Sequence, residues 1–509
     1  MGAAAAGGVP ARDWMGIVFG VFVPVLFFGI ALGVYGFELG RPDTIVFDEV
    51  HYLHAARNFA NGNWMDPSWG DDRAFNWEQP PLAKYQMALA IGWGGETPGV
   101  WRIPALLNGA LGVAGLSVLA RRMLKSDLAG VLAPSFLLLD PMWYVNSRVV
   151  LLDVFAAAPL VWAFAFAFGD RHWEPWASAV AAGWAGAAKY TADFLLPALF
   201  VILVWRAARR MGSARATWFG TLLAFVVPAF VLLLSNGPIL AASTMRGGVA
   251  HAAARFVGVF EEGLDWGTTG AIDHTDTTHP LVWLPMVRPT WYYAWWGLGG
   301  QREQETAVIY ALGNPVMWWA VPFLAVVFLV PSLWRILRSL REAARTPGTL
   351  LFAVAADDRG RLARIGGPFA LFLCGYAVFF LVARPTFLYH MTLLVPYLAL
   401  LAAAVTLELT RAPAQRLPKS TPEFMPTGQA DLAAPVPGQA LDALRWARTA
   451  WFGPWPGRVL AAALVLGAAT MAFVLAPLYT GHLTTKAVID DTWRLVPWMT
   501  RSLPFSPSS

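Results

Sequence analysis

Long apolar stretches separated by short polar ones make up most of this chain. A helix needs roughly 20 apolar residues to cross a hydrocarbon core. Runs near that length predict spans at 15–36, 102–120, 128–140, 149–168, 174–188, 191–205, 218–236, 313–334, 367–382, 389–408 and 458–477. Several are rich in Ala and Leu, and none alternates over ten residues as a membrane barrel strand does, so the spans are read as helices. The first run follows Arg12 and continues into Gly33-Val34-Tyr35-Gly36-Phe37-Glu38 with no small-residue cleavage site, which predicts an uncleaved signal anchor.

The polar stretches set an orientation. With the N-terminus cytoplasmic, the inner segments are Arg121 to Lys125, Arg206 to Arg215, Arg335 to Arg364 and Arg411 to Arg458. They carry most of the 37 Lys and Arg although the opposite loops are longer. The excess of basic residues predicts the N-terminus inside and the C-terminus outside. Two large outer loops result, 37–101 and 237–312. On the inner side, 335–345 reads as a basic amphipathic helix on the leaflet, and 411–457, rich in Pro, Ala and Gly over 412–439, as a flexible linker. No internal repeat and no inserted soluble domain interrupts the pattern, so residues 1–509 form one membrane unit.

Composition agrees. The chain is 57% hydrophobic and only 14% charged, with a mean hydropathy of +0.51, too little charge to cover a soluble surface. Its 26 Trp suit interfacial belts. The net charge of +5 follows from topology and contact with anionic lipid, which excludes nucleic acid as a partner. The single Cys374 excludes an intrachain disulfide and any multi-cysteine metal site. His274 and His279, near Asp273 and Asp276, make no tetrahedral set and read as polar loop residues; no metal is expected. Glu261-Glu262 and Asp357-Asp358 read as solvated surface, and Met317-Trp318-Trp319 as packing or lipid-facing.

The chemistry gathers in the outer loops. Phe47-Asp48-Glu49-Val50-His51-Tyr52 follows the first span, so two adjacent carboxylates sit at a membrane surface. Asp48 can cap the helix that begins at Glu49 and ends near Asn61-Gly62, with Glu49 complementing the helix dipole. Alternatively, the pair belongs to a site. Trp77-Glu78-Gln79-Pro80-Pro81-Leu82-Ala83-Lys84-Tyr85 places a helix start after the proline pair, with Lys84 one turn in. Asp48, Glu49, Glu78, Lys84, Arg102, Arg148, Lys189, Arg288 and Arg384 all fall on the outer side, and Asp153 lies one turn into the fourth span. Charges at a membrane edge cost a few kcal/mol each and face a cavity or a partner, so this gathering predicts a polar cavity opening outward.

Taken in order, these motifs resemble one family. Asp48-Glu49 with His and Tyr close behind is followed by Pro80-Pro81-Leu82-Ala83-Lys84 and by Trp101-Arg102-Ile103-Pro104. Then come Ser147-Arg148 through Asp153 and Ala188-Lys189-Tyr190-Thr191. Trp283-Leu284-Pro285-Met286-Val287-Arg288-Pro289, Gly313-Asn314-Pro315 and Phe387-Leu388-Tyr389-His390-Met391 extend the likeness over nearly the whole chain. The sequence resembles the protein O-mannosyltransferases, polyprenyl-phosphate-sugar-dependent enzymes of the GT-C fold. The short second loop fits a bacterial type without the β-trefoil insert. Gln79 stands where the family usually has the His of His-Pro-Pro.

The resemblance implies an all-α polytopic GT-C membrane protein with about eleven transmembrane helices. It implies transfer of mannose from a polyprenyl-phosphate donor to Ser or Thr hydroxyls of proteins at the outer face, with inversion and no obligatory cofactor. The alternative is a GT-C transferase that moves another lipid-linked sugar or uses a lipid or glycan acceptor. A transporter would show paired inverted repeats, which are absent from the sequence. Asp48 matches the family's acidic residue taken as catalytic base or acceptor-orienting group, and Glu49 its partner. Lys189, Arg102 and Arg384 match donor-phosphate positions, and Asp153, Lys84, Gln79, Arg148 and Arg288 complete the implied site. Polyprenyl-phosphate sugar, a Ser/Thr-containing polypeptide and membrane lipid are the implied partners. A departing lipid phosphate needs positive charge, an acceptor hydroxyl needs a carboxylate to take its proton, and a single displacement inverts the sugar.

Overall fold

The computed structural model describes residues 11–64, 76, 78–268, 276–297, 304–344, 356–411 and 454–499. Its helices follow the apolar runs. They are α1 (Trp14–Gly36), α2 (Glu49–Ala60), α3 (Leu82–Gly94), α4 (Pro98–Leu124), α5 (Ala129–Leu138), α6 (Pro141–Asn146), α7 (Leu152–Ala167), α8 (Glu174–Ala188), α9 (Tyr190–Met211), α10 (Ser213–Ser235) and α11 (Gly237–Thr268), which is broken by a kink at Gly248. After two strands come α12 (Val321–Ala344), α13 (Ala356–Arg361), α14 (Gly367–Val378), α15 (Val395–Thr410), α16 (Trp455–Val474) and α17 (Lys486–Arg494). Every predicted span is largely helical. Among the described residues six helices are long and apolar enough to cross a membrane, and α5, α7 and α15 are shorter apolar helices. The linker 411–457 falls almost wholly outside the described residues.

Proline leaves a regular mark on these helices. Val18–Phe22, Leu222–Val226, Val316–Ala320 and Leu362–Gly366 are π-helical turns, and each ends two residues before a proline: Pro24, Pro228, Pro322 and Pro368. A proline cannot donate to the carbonyl four residues back and its ring crowds that carbonyl, so the helix widens locally.

The centre of the fold is α7 and α15, whose side chains are almost all buried. α7 packs on α4 and α8, and α15 on α5 and α16. Close approach depends on small residues, as is general between membrane helices. In α4, a Cβ on Gly109 would collide with Ser147 and one on Gly112 with Trp143.

One architectural element was not expected from an all-helical reading. The second loop contributes β1 (Thr290–Trp296) and β2 (Glu305–Ala311), which pair antiparallel, and β3 (Thr484–Thr485) adds to the far side of β2. No β-trefoil stands among the described residues of 237–312. The basic stretch from Arg335 continues α12 rather than forming a separate helix.

A second correction concerns Asp358. It is buried rather than solvated, because it pairs with Arg335 and Arg361. Arg361 and Arg364 in turn hold the carboxylate of Glu408 at 2.7 and 2.9 Å. This ionic network joins α12, α13 and the end of α15.

Candidate active site

The turn before α2 builds the first part of the site. Glu49 is fully buried, and all of its acceptor capacity is engaged. Oε1 accepts from Arg102 Nε at 2.9 Å and from the Val150 amide at 3.2 Å. Oε2 accepts from Arg102 Nη2 at 3.0 Å and from the Val46 amide at 2.8 Å. Arg102 is equally buried, and its remaining donors reach the carbonyls of Leu39, Pro42 and Thr44. A guanidinium has five N–H donors, and these partners occupy them all. The pair, placed by sequence among catalytic and phosphate-binding groups, is a brace that ties the 39–49 segment to α4 and to the start of α7.

Asp48 is left half-buried at the head of α2. It occupies the N-cap position, but its side chain makes no capping hydrogen bond, which corrects the capping expectation. The helix ends as predicted, with Asn61 at the C-cap and Gly62 at φ 72°. Tyr52, Ala55 and Phe59, on the same face as Asp48, turn inward.

Asp153, in the first turn of α7, receives Lys189 Nζ at 2.8 and 2.7 Å. Both groups are nearly inaccessible. The chain delivers Lys189 by breaking the helix: α8 ends at Ala188, Lys189 is extended (φ −158°, ψ 129°), and a 3-10 turn begins at Tyr190. Its ammonium also lies 5.4 Å from the ring centre of Tyr389, a cation–π distance.

Three tyrosines join the two carboxylates. Tyr52, Tyr292 and Tyr389 each interact electrostatically with both Asp48 and Asp153. Burial first, then these carboxylates, hold the phenols of Tyr52 and Tyr292 well above the ordinary tyrosine range, so both remain neutral donors. The Tyr292 hydroxyl lies 3.4 Å from Asn146 Oδ1 at the end of α6. Phe47 stacks on Tyr292 with ring centres 4.6 Å apart and meets Tyr389 edge-on at 5.7 Å. Arg384, half-buried, acts electrostatically on Tyr389 and on His390, which stacks on Tyr389 at 4.6 Å. Glu78 reaches Tyr52 in the same way.

Other predicted residues stand apart. Lys84 is buried and donates to the carbonyls of Asn76 at 2.6 Å and Gln79 at 2.8 Å, which fixes the turn before Pro80-Pro81. Burial pulls its ammonium down to about 7, and Glu78 opposes that shift. The Gln79 side-chain oxygen is buried and has no hydrogen-bond partner among the described residues. Arg148 donates to the carbonyls of Tyr35, Phe37 and Glu38 and stacks over Tyr144, which secures the exit from α1. Arg288 is half-buried beside Pro289, just before β1. His279 accepts from the Leu281 amide, while Asp273 and His274 lie outside the described residues. Among the described residues no three His, Cys, Asp or Glu gather as a metal site.

The carboxylate motif begins at Phe47 without giving it a role, and Tyr292 and Asn146 lie outside every predicted motif. The only local signal was the aromatic run of β1, and its meaning depends on where that strand packs.

This helical architecture has the GT-C fold. The Pmt1-Pmt2 complex of S. cerevisiae, a protein O-mannosyltransferase solved with its sugar donor, superposes over 96% of this chain and 96% of that chain, with a TM-score of 0.69 and 12% identity. Family models match in two blocks. That described as dolichyl-phosphate-mannose-protein mannosyltransferase covers residues 78–233, and that of the C-terminal four TMM region of protein-O-mannosyltransferase covers 266–499. Polyprenol-phosphate-mannose--protein mannosyltransferases of Mycobacterium tuberculosis and Corynebacterium glutamicum are each 25% identical, over 345 and 361 residues; the matches cover 55% and 57% of this chain. They span 65% and 67% of the relatives' own lengths. The chain belongs to the protein O-mannosyltransferase family.

Proposed function

We propose that this protein transfers mannose from a polyprenyl-phosphate carrier to Ser or Thr hydroxyls of polypeptides. In this reading the site lies at the outer face of the membrane, the N-terminus is cytoplasmic and the C-terminus is outside. The observation that carries the reading is the unequal pair of carboxylates. Asp153 is held by Lys189 in a buried pair, while Asp48, half-buried at the head of α2, acts on the same three tyrosines as Asp153.

Each group then has a task. Asp48 takes the proton of the attacking hydroxyl, whose own acidity is too low for attack at neutral pH. Lys189 and Arg384 face the carrier phosphate as it leaves with the bonding electrons. Asp153 holds Lys189 in place. Attack and departure occur on opposite sides of the sugar, so the product has the inverted configuration. Glu49 and Arg102 support the loop and take no part in the bond changes. The names of the relatives and of the donor-bound yeast structure support the donor and acceptor classes.

The test is reconstitution of purified protein in lipid nanodiscs with undecaprenyl-phosphate-mannose and a Ser/Thr-rich peptide. The expected product is a mannosylated peptide with inverted linkage. Sugar recovered on a lipid or glycan, with none on peptide, would overturn the acceptor assignment. Preference for a different lipid-linked sugar would overturn the donor assignment, to which Gln79 in place of the family's usual His is relevant.

A further inference from the structure

The residue before Asp48 has an unusual backbone. Phe47 sits at φ 48°, the left-handed region that bulky side chains avoid. It occupies the first central position of a turn closed by Glu49 N donating to Val46 O at 3.0 Å, a position that glycine fills most readily when φ is positive. Glu49 fixes the two ends of this turn through Val46 and Arg102, but it does not hold the peptide between Phe47 and Asp48. Rotation there would swing the Asp48 carboxylate.

What does hold that peptide comes from far along the chain. In the β1–β2 ladder Trp291 pairs with Tyr310 and Tyr293 with Ile309, so Tyr292 is an extra residue in a β-bulge. Bulges re-aim a side chain that regular alternation would send elsewhere. Here the bulged ring lies flat on Phe47, with 12° between the planes, and its hydroxyl meets Asn146 on α6. Tyr389 meets Phe47 edge-on at 5.7 Å and Tyr292 at 6.2 Å, so the three rings form one cluster. Strained backbone persists where its surroundings over-determine it, and it collects at functional sites.

We propose that Tyr292 is a positioning residue: its stack on Phe47 locks the left-handed turn and thereby aims the Asp48 carboxylate at the acceptor hydroxyl. The second loop is then part of the catalytic apparatus through a bulged strand. This proposal rests on the reading of Asp48 as the proton acceptor.

The test uses the full chain in nanodiscs, with undecaprenyl-phosphate-mannose and a Ser/Thr peptide. Phe47→Gly relieves the backbone and so leaves the fold intact while removing the ring. Tyr292→Leu fills the volume without an aromatic face, and Tyr292→Phe keeps the face without the hydroxyl. Misaim of a reacting group costs up to about 100-fold in rate. Phe47→Gly and Tyr292→Leu are therefore expected to lower kcat by at least about tenfold with both KM values within about twofold. The double variant should be no worse than either single one, because both remove the same contact. Tyr292→Phe should retain at least about a third of wild-type kcat.

If Asp48→Asn is inactive while Phe47→Gly and Tyr292→Leu keep full kcat, the positioning role fails and the base assignment stands. If Tyr292→Phe is as slow as Tyr292→Leu, the hydroxyl and not the stack matters, and the proposal is overturned. If Asp48→Asn is active, the underlying reading fails as well.

Discussion

Lys189 gives its ammonium to both oxygens of Asp153, at 2.8 and 2.7 Å, from a break between two helices. The two opposite charges meet within a nearly inaccessible pocket. An anionic carrier arriving at this place would compete with Asp153 for the lysine.

From that competition we expect Lys189→Met to reduce transfer by at least about 100-fold, the scale of losing a preorganised positive charge at a leaving anion. It would also leave Asp153 buried without its partner, which destabilises a protein by about 3–5 kcal/mol. A companion Asp153→Asn/Lys189→Met variant should recover much of the thermal stability but not the activity. Rates and melting temperatures measured on the three proteins separate the two effects.

Asp48→Asn should abolish peptide mannosylation while leaving donor binding within about twofold, because only the proton acceptor is removed. Turnover comparable to wild type in purified membranes would refute Asp48 as the base.

The Glu49–Arg102 brace makes a different forecast. Glu49→Gln and Arg102→Met should each lower stability by about 3–5 kcal/mol, since each leaves a buried charge or its partners unpaired. Activity should fall in step with folded protein rather than ahead of it. A loss of kcat in protein that melts like wild type would show that the pair acts in the chemistry.

Lys84 predicts a pH dependence. Its ammonium ionises at about 7 in the folded protein against an ordinary value of 10.5. Between those values the unfolded chain binds more protons than the folded one, so stability rises with pH there. Melting temperature should climb from pH 7 towards 10, and Lys84→Met should flatten that climb. An equal slope in both proteins would exclude Lys84 as its source.

The helices and the turns that carry the motifs were legible because both depend on local pattern. Apolar runs of fixed length, the proline pair before α3 and Asn61-Gly62 after α2 each act within a few residues of the feature they specify. What escaped notice depends on partners far away. Nothing near Glu49 says that it, and not Asp48, is the carboxylate that Arg102 takes, 53 residues on. Asp358 looked solvated because Arg335 reaches it from another helix. Arg102 and Arg148 seemed to line a cavity, yet Arg102 is taken by Glu49 and the carbonyls of Leu39, Pro42 and Thr44, and Arg148 by the carbonyls of Tyr35, Phe37 and Glu38. Tyr292 is placed by a single unpaired position in a ladder, which no periodicity reveals.

The sheet that presents Tyr292 has a consequence for biosynthesis. β2 receives its second neighbour from Thr484–Thr485, beyond α16. Membrane spans enter in order as the ribosome makes them, and contacts distant in sequence form late. The three-stranded platform is thus completed only once Thr484–Thr485 have been translated, and a product that stops before them would carry every motif of the site without its finished support.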